Sequence, residues 1–129
     1  MAQIGMVRET TLPYDDVLAK LPDLLKEEGF GVLTRIDVKA TLKEKIGVDF
    51  RRYQILGACN PKFAHQALSL DPSVGVLLPC NVAVYEKEGG GTTVRSIDPM
   101  QTMAAADPRF AEVAGQVQER LARVLSKLA

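Results

Sequence analysis

Two cysteines, one histidine and two asparagines are the residues of this sequence whose types and spacing could do chemistry. Cys59 ends a predicted strand and directly precedes Asn60-Pro61, a pair typical of a helix start. A thiol beside the free N–H groups of a helix N-terminus can be unusually reactive. Cys80 falls in the next apolar strand, and the only histidine lies one turn into the helix. We therefore predict a small ligand site that includes Cys59, Asn60, Pro61, His65, Cys80 and Asn81.

More ordinary interpretations compete with this one. Free cysteines are among the most buried residues, so Cys59 and Cys80 could be small core residues. His65 could be a surface histidine and Asn60 only a helix cap. Two cysteines and a histidine are also the ligands of some zinc sites, but the Cys-x-x-Cys spacing is absent. We predict no metal site and name no cofactor.

The evidence in the sequence for other catalytic motifs is weak. The run 89–91 is three glycines without the Lys-Ser/Thr of a phosphate loop, so it is predicted to be a turn between strands. The serines lack the context of a nucleophile elbow, and the carboxylates are dispersed. No catalytic residue is predicted.

Composition favours one domain that spans all 129 residues, with 47% apolar residues to form its core. Lys and Arg together number 16, as do Asp and Glu. The sequence therefore lacks the basic excess that is typical of proteins that bind nucleic acid. The basic cluster at 39–52 is predicted to be a solvated face. The start of the chain does not resemble a secretory signal, and the most apolar stretch, 74–84, is too short to span a membrane. We expect a cytoplasmic protein without membrane or nucleic-acid partners, and two free thiols suit that compartment.

Hydrophobic periodicity predicts strands at 3–10, 30–38, 53–59, 75–87 and 92–97. Helices are predicted between them, with a kink at Pro22, inward-facing Leu42 and Ile46, and a last helix that begins at Asp107-Pro108. The third helix should bury Ala64, Ala67 and Leu68. Pro79 predicts an edge position or a bulge in the fourth strand.

This order of elements favours an α+β two-layer sandwich with a mostly antiparallel sheet and helices on one face. The third and fourth strands carry apolar residues on both faces. A monomer would expose the uncovered side, and large exposed apolar patches usually mark partner surfaces. We therefore predict a homodimer packed through that face.

The stretches 56–61 (LGACNP), 77–82 (LLPCNV) and 36–42 (IDVKATL) carry a family resemblance. The chain resembles the bacterial and archaeal domain of unknown function 302 family over nearly its whole length. This resemblance implies a fold like the TATA-binding protein, strand-helix-four strands-helix, with an extra helix between the middle strands. It supplies no activity, cofactor or catalytic residue, and fold likeness alone does not indicate function.

Three functions remain open from the sequence. The leading hypothesis is a homodimeric, non-catalytic module that binds a small molecule or anion, with Asn60 and Asn81 as polar contacts. The alternative is a thiol enzyme or redox sensor that uses Cys59, with Cys80 as its resolving partner. The third is a structural subunit of a larger assembly.

Overall fold

A five-stranded antiparallel sheet forms one layer of the protein. The computed structural model describes residues 3–128. The strands are β1 (Met6–Thr10), β2 (Gly31–Asp37), β3 (Tyr53–Cys59), β4 (Cys80–Glu86) and β5 (Thr92–Ser96). Their order in the sheet is β1-β5-β4-β3-β2, and every neighbouring pair is antiparallel. The predicted antiparallel α+β architecture is therefore confirmed.

Helices form the second layer and the connections. They are α1 (Tyr14–Glu27), α2 (Val38–Ile46), α3 (Pro61–Leu70), α4 (Met103–Ala106) and α5 (Ala111–Ser126), with 3₁₀ turns at Pro72–Leu77 and Pro108–Phe110. The chain thus follows the expected strand-helix-four strands-helix order, with α2 and α3 inserted between strands. None of the helices within residues 3–128 has both the length and the apolarity to cross a membrane.

The core lies between one face of the sheet and helices α1 and α5. Both helices have acidic and polar outer faces, and their apolar residues recur every three or four positions. Those apolar stripes are buried against the inward residues of β3 and β4, which include Leu56, Val82 and Val84. Full burial of each such side chain contributes about 1.5 to 3 kcal/mol.

The end of α1 is set by glycine. The helix runs through Pro22 and stops before Gly29, whose φ of +87° suits glycine and disfavours other residues. The N–H groups of Gly29 and Phe30 donate to the carbonyls of Lys26 and Leu25, which satisfies the last turn. The chain then enters β2 directly.

Helix α2 is capped as expected but not packed as expected. The Asp37 side chain accepts a hydrogen bond from the Ala40 N–H (2.9 Å), and Gly47 ends the helix at a φ of +69°. The prediction that Leu42 and Ile46 face the core is wrong for Ile46, which is 67% exposed, whereas Leu42 is half-buried; no residue of α2 is fully buried.

The segment before β4 also differs from the predicted long strand. Residues 72–77 form a 3₁₀ turn, because Asp71 accepts a hydrogen bond from the Ser73 N–H and Pro72 favours a helical start. β4 begins only at Cys80, after a cis peptide bond at Leu78-Pro79. Pro79 thus stands outside the ladder of a central strand, so neither the predicted edge position nor a bulge in β4 is needed.

Candidate functional site

A small cavity lies where β3 ends, α3 begins and β4 starts. It offers about 40 Å³ to the centre of a water-sized molecule, which is room for a few waters at most. Nearly all its lining is apolar. The lining residues are Phe30, Ala58, Cys59, Asn60, Phe63, Ala64, Leu78, Pro79, Cys80, Met103, Val113 and Val117. Three of the predicted site residues, Cys59, Asn60 and Cys80, are therefore brought together.

Cys80 presents a protonated thiol to this cavity. The residue is buried and pairs across the sheet with Ala58, so both side chains face the helices. Burial, with a smaller contribution from Cys59, raises the pKa of the Cys80 thiol to about 11. At neutral pH the group behaves as a small, weakly polar core residue and not as a thiolate.

Cys59 forms part of the cavity wall where β3 turns into α3. It is half-buried, and both cysteines are free. Side chains alternate along a strand, so Cys59 points away from Ala58 and hence away from the side on which Cys80 lies. The two cysteines are neighbours, but the strand geometry does not aim their thiols at each other.

Asn60 has a structural partner of its own. It is buried at the N-cap position of α3, yet its side chain does not cap the helix. Its Nδ2 instead donates to the Glu28 carbonyl oxygen (3.2 Å), which ties the start of α3 to the end of α1. A Cβ at Gly29 would lie 3.0 Å from that nitrogen, so glycine allows the close approach. One N–H of the Asn60 side-chain amide is thus already engaged.

An ion cluster around Glu28 connects the end of α1 to α5 and contacts one wall of the cavity. The buried Glu28 carboxylate accepts hydrogen bonds from Arg123 Nε (3.1 Å) and Nη2 (3.0 Å), and Lys127 Nζ lies 3.9 Å away. The hydrogen bond from Arg123 is the main reason that the pKa of Glu28 is lowered. Arg120 donates to the Glu28 carbonyl (3.3 Å) and places its guanidinium 5.2 Å from the centre of the Phe63 ring. The cluster therefore fixes Phe63, one of the cavity walls.

The other predicted site residues lie elsewhere. His65 is exposed in an open groove between α3 and α5, beside Arg109 and Glu112, and it does not line the cavity. Asn81 is exposed on the opposite face of the sheet, because it follows Cys80 by one residue. Pro61 is exposed at the first position of α3. Among residues 3–128, His, Cys, Asp and Glu side chains do not gather in threes that could hold a metal ion.

Comparison with known proteins shows which family the chain belongs to. A family model described as domain of unknown function DUF302 matches residues 6–128. The chain belongs to the DUF302 family. One solved structure of the family, an uncharacterized conserved protein from Bacillus stearothermophilus, is 33% identical, with a TM-score of 0.89 over 99% of this chain and 100% of that one. No curated protein matches the sequence.

Sequence reasoning missed several residues of this DUF302 site. Phe63 and Met103 are buried cavity walls, whereas Leu68, which was expected inside, is 38% exposed. Phe63 could have been found, because it precedes Ala67 by four residues and shares its helix face. The Glu28 cluster left one signal: Arg120 and Arg123 are spaced to share one side of α5, and Lys127 follows the helix directly.

Proposed function

We propose that this DUF302 protein is a non-catalytic binding module, and that its site is the cavity between the β3–α3 junction and β4. The observation that carries the proposal is a mainly apolar cavity. It lies where β3 ends and where β4 begins after the cis peptide bond at Leu78-Pro79. Sites for small ligands are typically concave, apolar and edged by a few polar groups. Here the polar groups are the Cys80 thiol and the backbone around Asn60.

The lining favours a neutral ligand over an anion. Lys, Arg and His are absent from the cavity wall, and the Asn60 amide donates to Glu28. The raised pKa of Cys80 also keeps its thiol uncharged. A desolvated anion without a countercharge would cost several kcal/mol. The ligand class supported best is therefore a small, uncharged and mainly apolar molecule.

The size of the cavity limits what it can hold. An apolar cavity of roughly 150 Å³ in another protein stays dry and binds benzene or xenon. The about 40 Å³ here fits a smaller occupant. Ala64, Leu78 and Pro79 are half-buried residues of the lining, so a larger ligand would have to displace side chains of this kind.

The alternative functions have less support. A redox or nucleophilic pair needs an accessible thiolate, and the pKa of about 11 works against one at Cys80. A purely structural subunit predicts an apolar patch without a pocket, whereas a cavity accompanies the patch in this chain.

Xenon is a suitable probe, because it reports an apolar cavity without assuming the natural ligand. Methyl NMR under xenon pressure should show saturable shifts of Val113 and Val117. Ala64→Leu, which fills the cavity from α3, should abolish them. Ala111→Leu, at the exposed start of α5, is the matched control and should leave them unchanged. If the wild-type shifts do not saturate, or if they persist in Ala64→Leu, the proposed site is wrong.

A further inference from the structure

Three sulfur-bearing side chains line the cavity. Cys59 and Cys80 supply thiols, and Met103 adds a thioether. The chain has two cysteines and four methionines, and three of these six side chains border one small void. Of the lining residues, only Asn60 carries oxygen or nitrogen in its side chain, and its amide already donates to Glu28. Sulfur is therefore the main donor that the side chains of this wall offer to a ligand.

The Cys80 thiol borders the void without a hydrogen-bond partner. The residue is 8% exposed, and its pairing with Ala58 places it on the helix side of the sheet. Within residues 3–128 its sulfur takes part in neither a hydrogen bond nor a disulfide. Buried polar groups normally have a partner, and each exception needs an explanation. A ligand in the void would supply the partner that Cys80 lacks.

Met103 reaches the same void from a different element. It is the one buried residue of the short helix α4, and it is 5% exposed. The turn before α4 is anchored to α5, because the Asp98 carboxylate accepts hydrogen bonds from the Met100 N–H and from Gln118 Nε2 (both 2.9 Å). The fold thus holds a thioether from α4 and a thiol from β4 against one cavity.

A thiol and a thioether suit one class of metal ion. Soft sulfur ligands select Cu(I), whereas Mg²⁺ and Ca²⁺ prefer oxygen ligands. Structural zinc sites use four ligands in a tetrahedron, and this wall offers fewer donors. Charge points the same way, because one thiolate cancels the single charge of Cu(I). A divalent ion would leave a buried charge uncompensated in a wall without charged side chains.

We propose that the cavity is a Cu(I) site whose ligands are the sulfur atoms of Cys80 and Met103. On binding, the S–H bond of Cys80 breaks, a Cu–S bond forms and the proton leaves to the solvent. Met103 donates a lone pair and loses no proton, and the copper stays Cu(I), so the step needs neither an oxidant nor a reductant. The void of about 40 Å³ has room for a bare ion but not for a hydrated one. Cys59 is not a ligand, because strand alternation turns it away from the side of Cys80.

This inference rests on the proposed function in using the same cavity, but it depends on the sulfur atoms and not on the apolar volume. Met103→Leu keeps an apolar side chain of similar size and removes one sulfur. Xenon shifts should therefore persist in Met103→Leu, whereas Cu(I) binding should be lost. Wild type that binds xenon but not Cu(I) overturns the copper site alone. Wild type that binds Cu(I) but not xenon overturns the proposed function alone.

An anaerobic titration of the reduced full chain with Cu(I), in competition with a chromogenic Cu(I) chelator, measures the affinity and the stoichiometry. Wild type should bind one ion per chain. Cys80→Ala and Met103→Leu should each weaken the affinity about 100-fold, because the loss of a ligand should cost at least as much as the loss of an outer-shell partner. The matched controls are Cys59→Ala and Met100→Leu, a methionine that is 39% exposed in the turn before α4. Both controls should bind like wild type, and circular dichroism should show all four variants folded.

NMR of protein labelled with ¹³C at the methionine methyl groups shows where the ion binds, since Cu(I) is diamagnetic. The Met103 methyl signal, assigned from its absence in Met103→Leu, should shift and saturate at one equivalent of Cu(I). The signals of Met6 and Met100, which lie outside the cavity wall, should not shift. The copper site is overturned if wild type fails to compete for Cu(I), if the Met103 signal stays in place, or if Cys80→Ala or Met103→Leu binds as tightly as wild type.

Discussion

The Cys80 thiol gives the sharpest test of the environment described for the cavity. Burial raises its pKa from 9.0 to about 11. The unfolded chain therefore releases the thiol proton near pH 9, whereas the folded protein holds it until about pH 11. The stabilisation is fully present below pH 9 and is lost as pH rises through this window.

The size of this effect follows from the two pKa values. Each pH unit between them is worth about 1.4 kcal/mol, so the loss should be about 2 to 3 kcal/mol. Tyr14 contributes a separate loss at higher pH, because burial raises its pKa from 10.0 to about 12. Tyr53, whose pKa burial also raises, adds to this later loss, so the cysteine gives the larger part of the loss between pH 9 and 10.

Urea unfolding followed by circular dichroism measures this loss at closely spaced pH values. Cys80→Ala should be less stable than wild type near pH 7, because it enlarges the cavity, but its stability should fall much less between pH 9 and 10. Cys59→Ala is the matched control and should retain most of the wild-type slope, because burial is the larger cause of the raised Cys80 pKa. In parallel, iodoacetamide should modify native Cys80 about 100-fold more slowly than Cys80 in unfolded protein. Equal slopes in wild type and Cys80→Ala, or rapid alkylation of native Cys80, would refute the reasoning.

Two further predictions concern the supports of the site. Glu28→Gln should lower the free energy of unfolding by about 1 to 2 kcal/mol at pH 7, because two hydrogen bonds from Arg123 lose their charged acceptor and are partly exposed. This difference, followed by urea unfolding, should be fully present above the ordinary glutamate pKa of 4.5 and should disappear as pH falls through the lowered pKa of Glu28. Gly57→Ala should cost about 1 to 3 kcal/mol, since its Cβ would meet Thr34 Oγ1 and lie 2.9 Å from Pro79 Cγ. The double variant with Thr34→Ala should recover part of that loss, and strict additivity of the two single changes would contradict the contact.

Much of the fold could be predicted from local pattern. The stripe on α5 and the alternation of Leu56 and Ala58 against Ile55 follow directly from the periods of helix and strand. The segment before β4 could not be predicted in the same way. Val76 continues an apolar alternation, yet Asp71 and Pro72 start a 3₁₀ turn, and the capping geometry prevails over hydrophobic pattern.

The site was only partly predictable, because its residues depend on pairings between distant strands. Cys59 and Cys80 share the cavity because β3 pairs with β4 in one register, which the spacing of the residues does not reveal. The same register moves Asn81 to the far face. His65 is excluded by helix geometry, since the buried side of α3 is defined by Phe63 and Ala67.

The cavity is a departure from what folding alone would favour. A void of about 40 Å³ costs about 1 kcal/mol at the value measured for cavities in protein cores. A larger residue at Ala64 or Ala58 would remove that cost. Ala58 and Cys80 lie on the cavity side of β3 and β4, whereas Ile55 and Ala83 lie on the other side of the sheet. The apolar, incompletely filled character of the cavity side is thus explained if it binds a small neutral molecule.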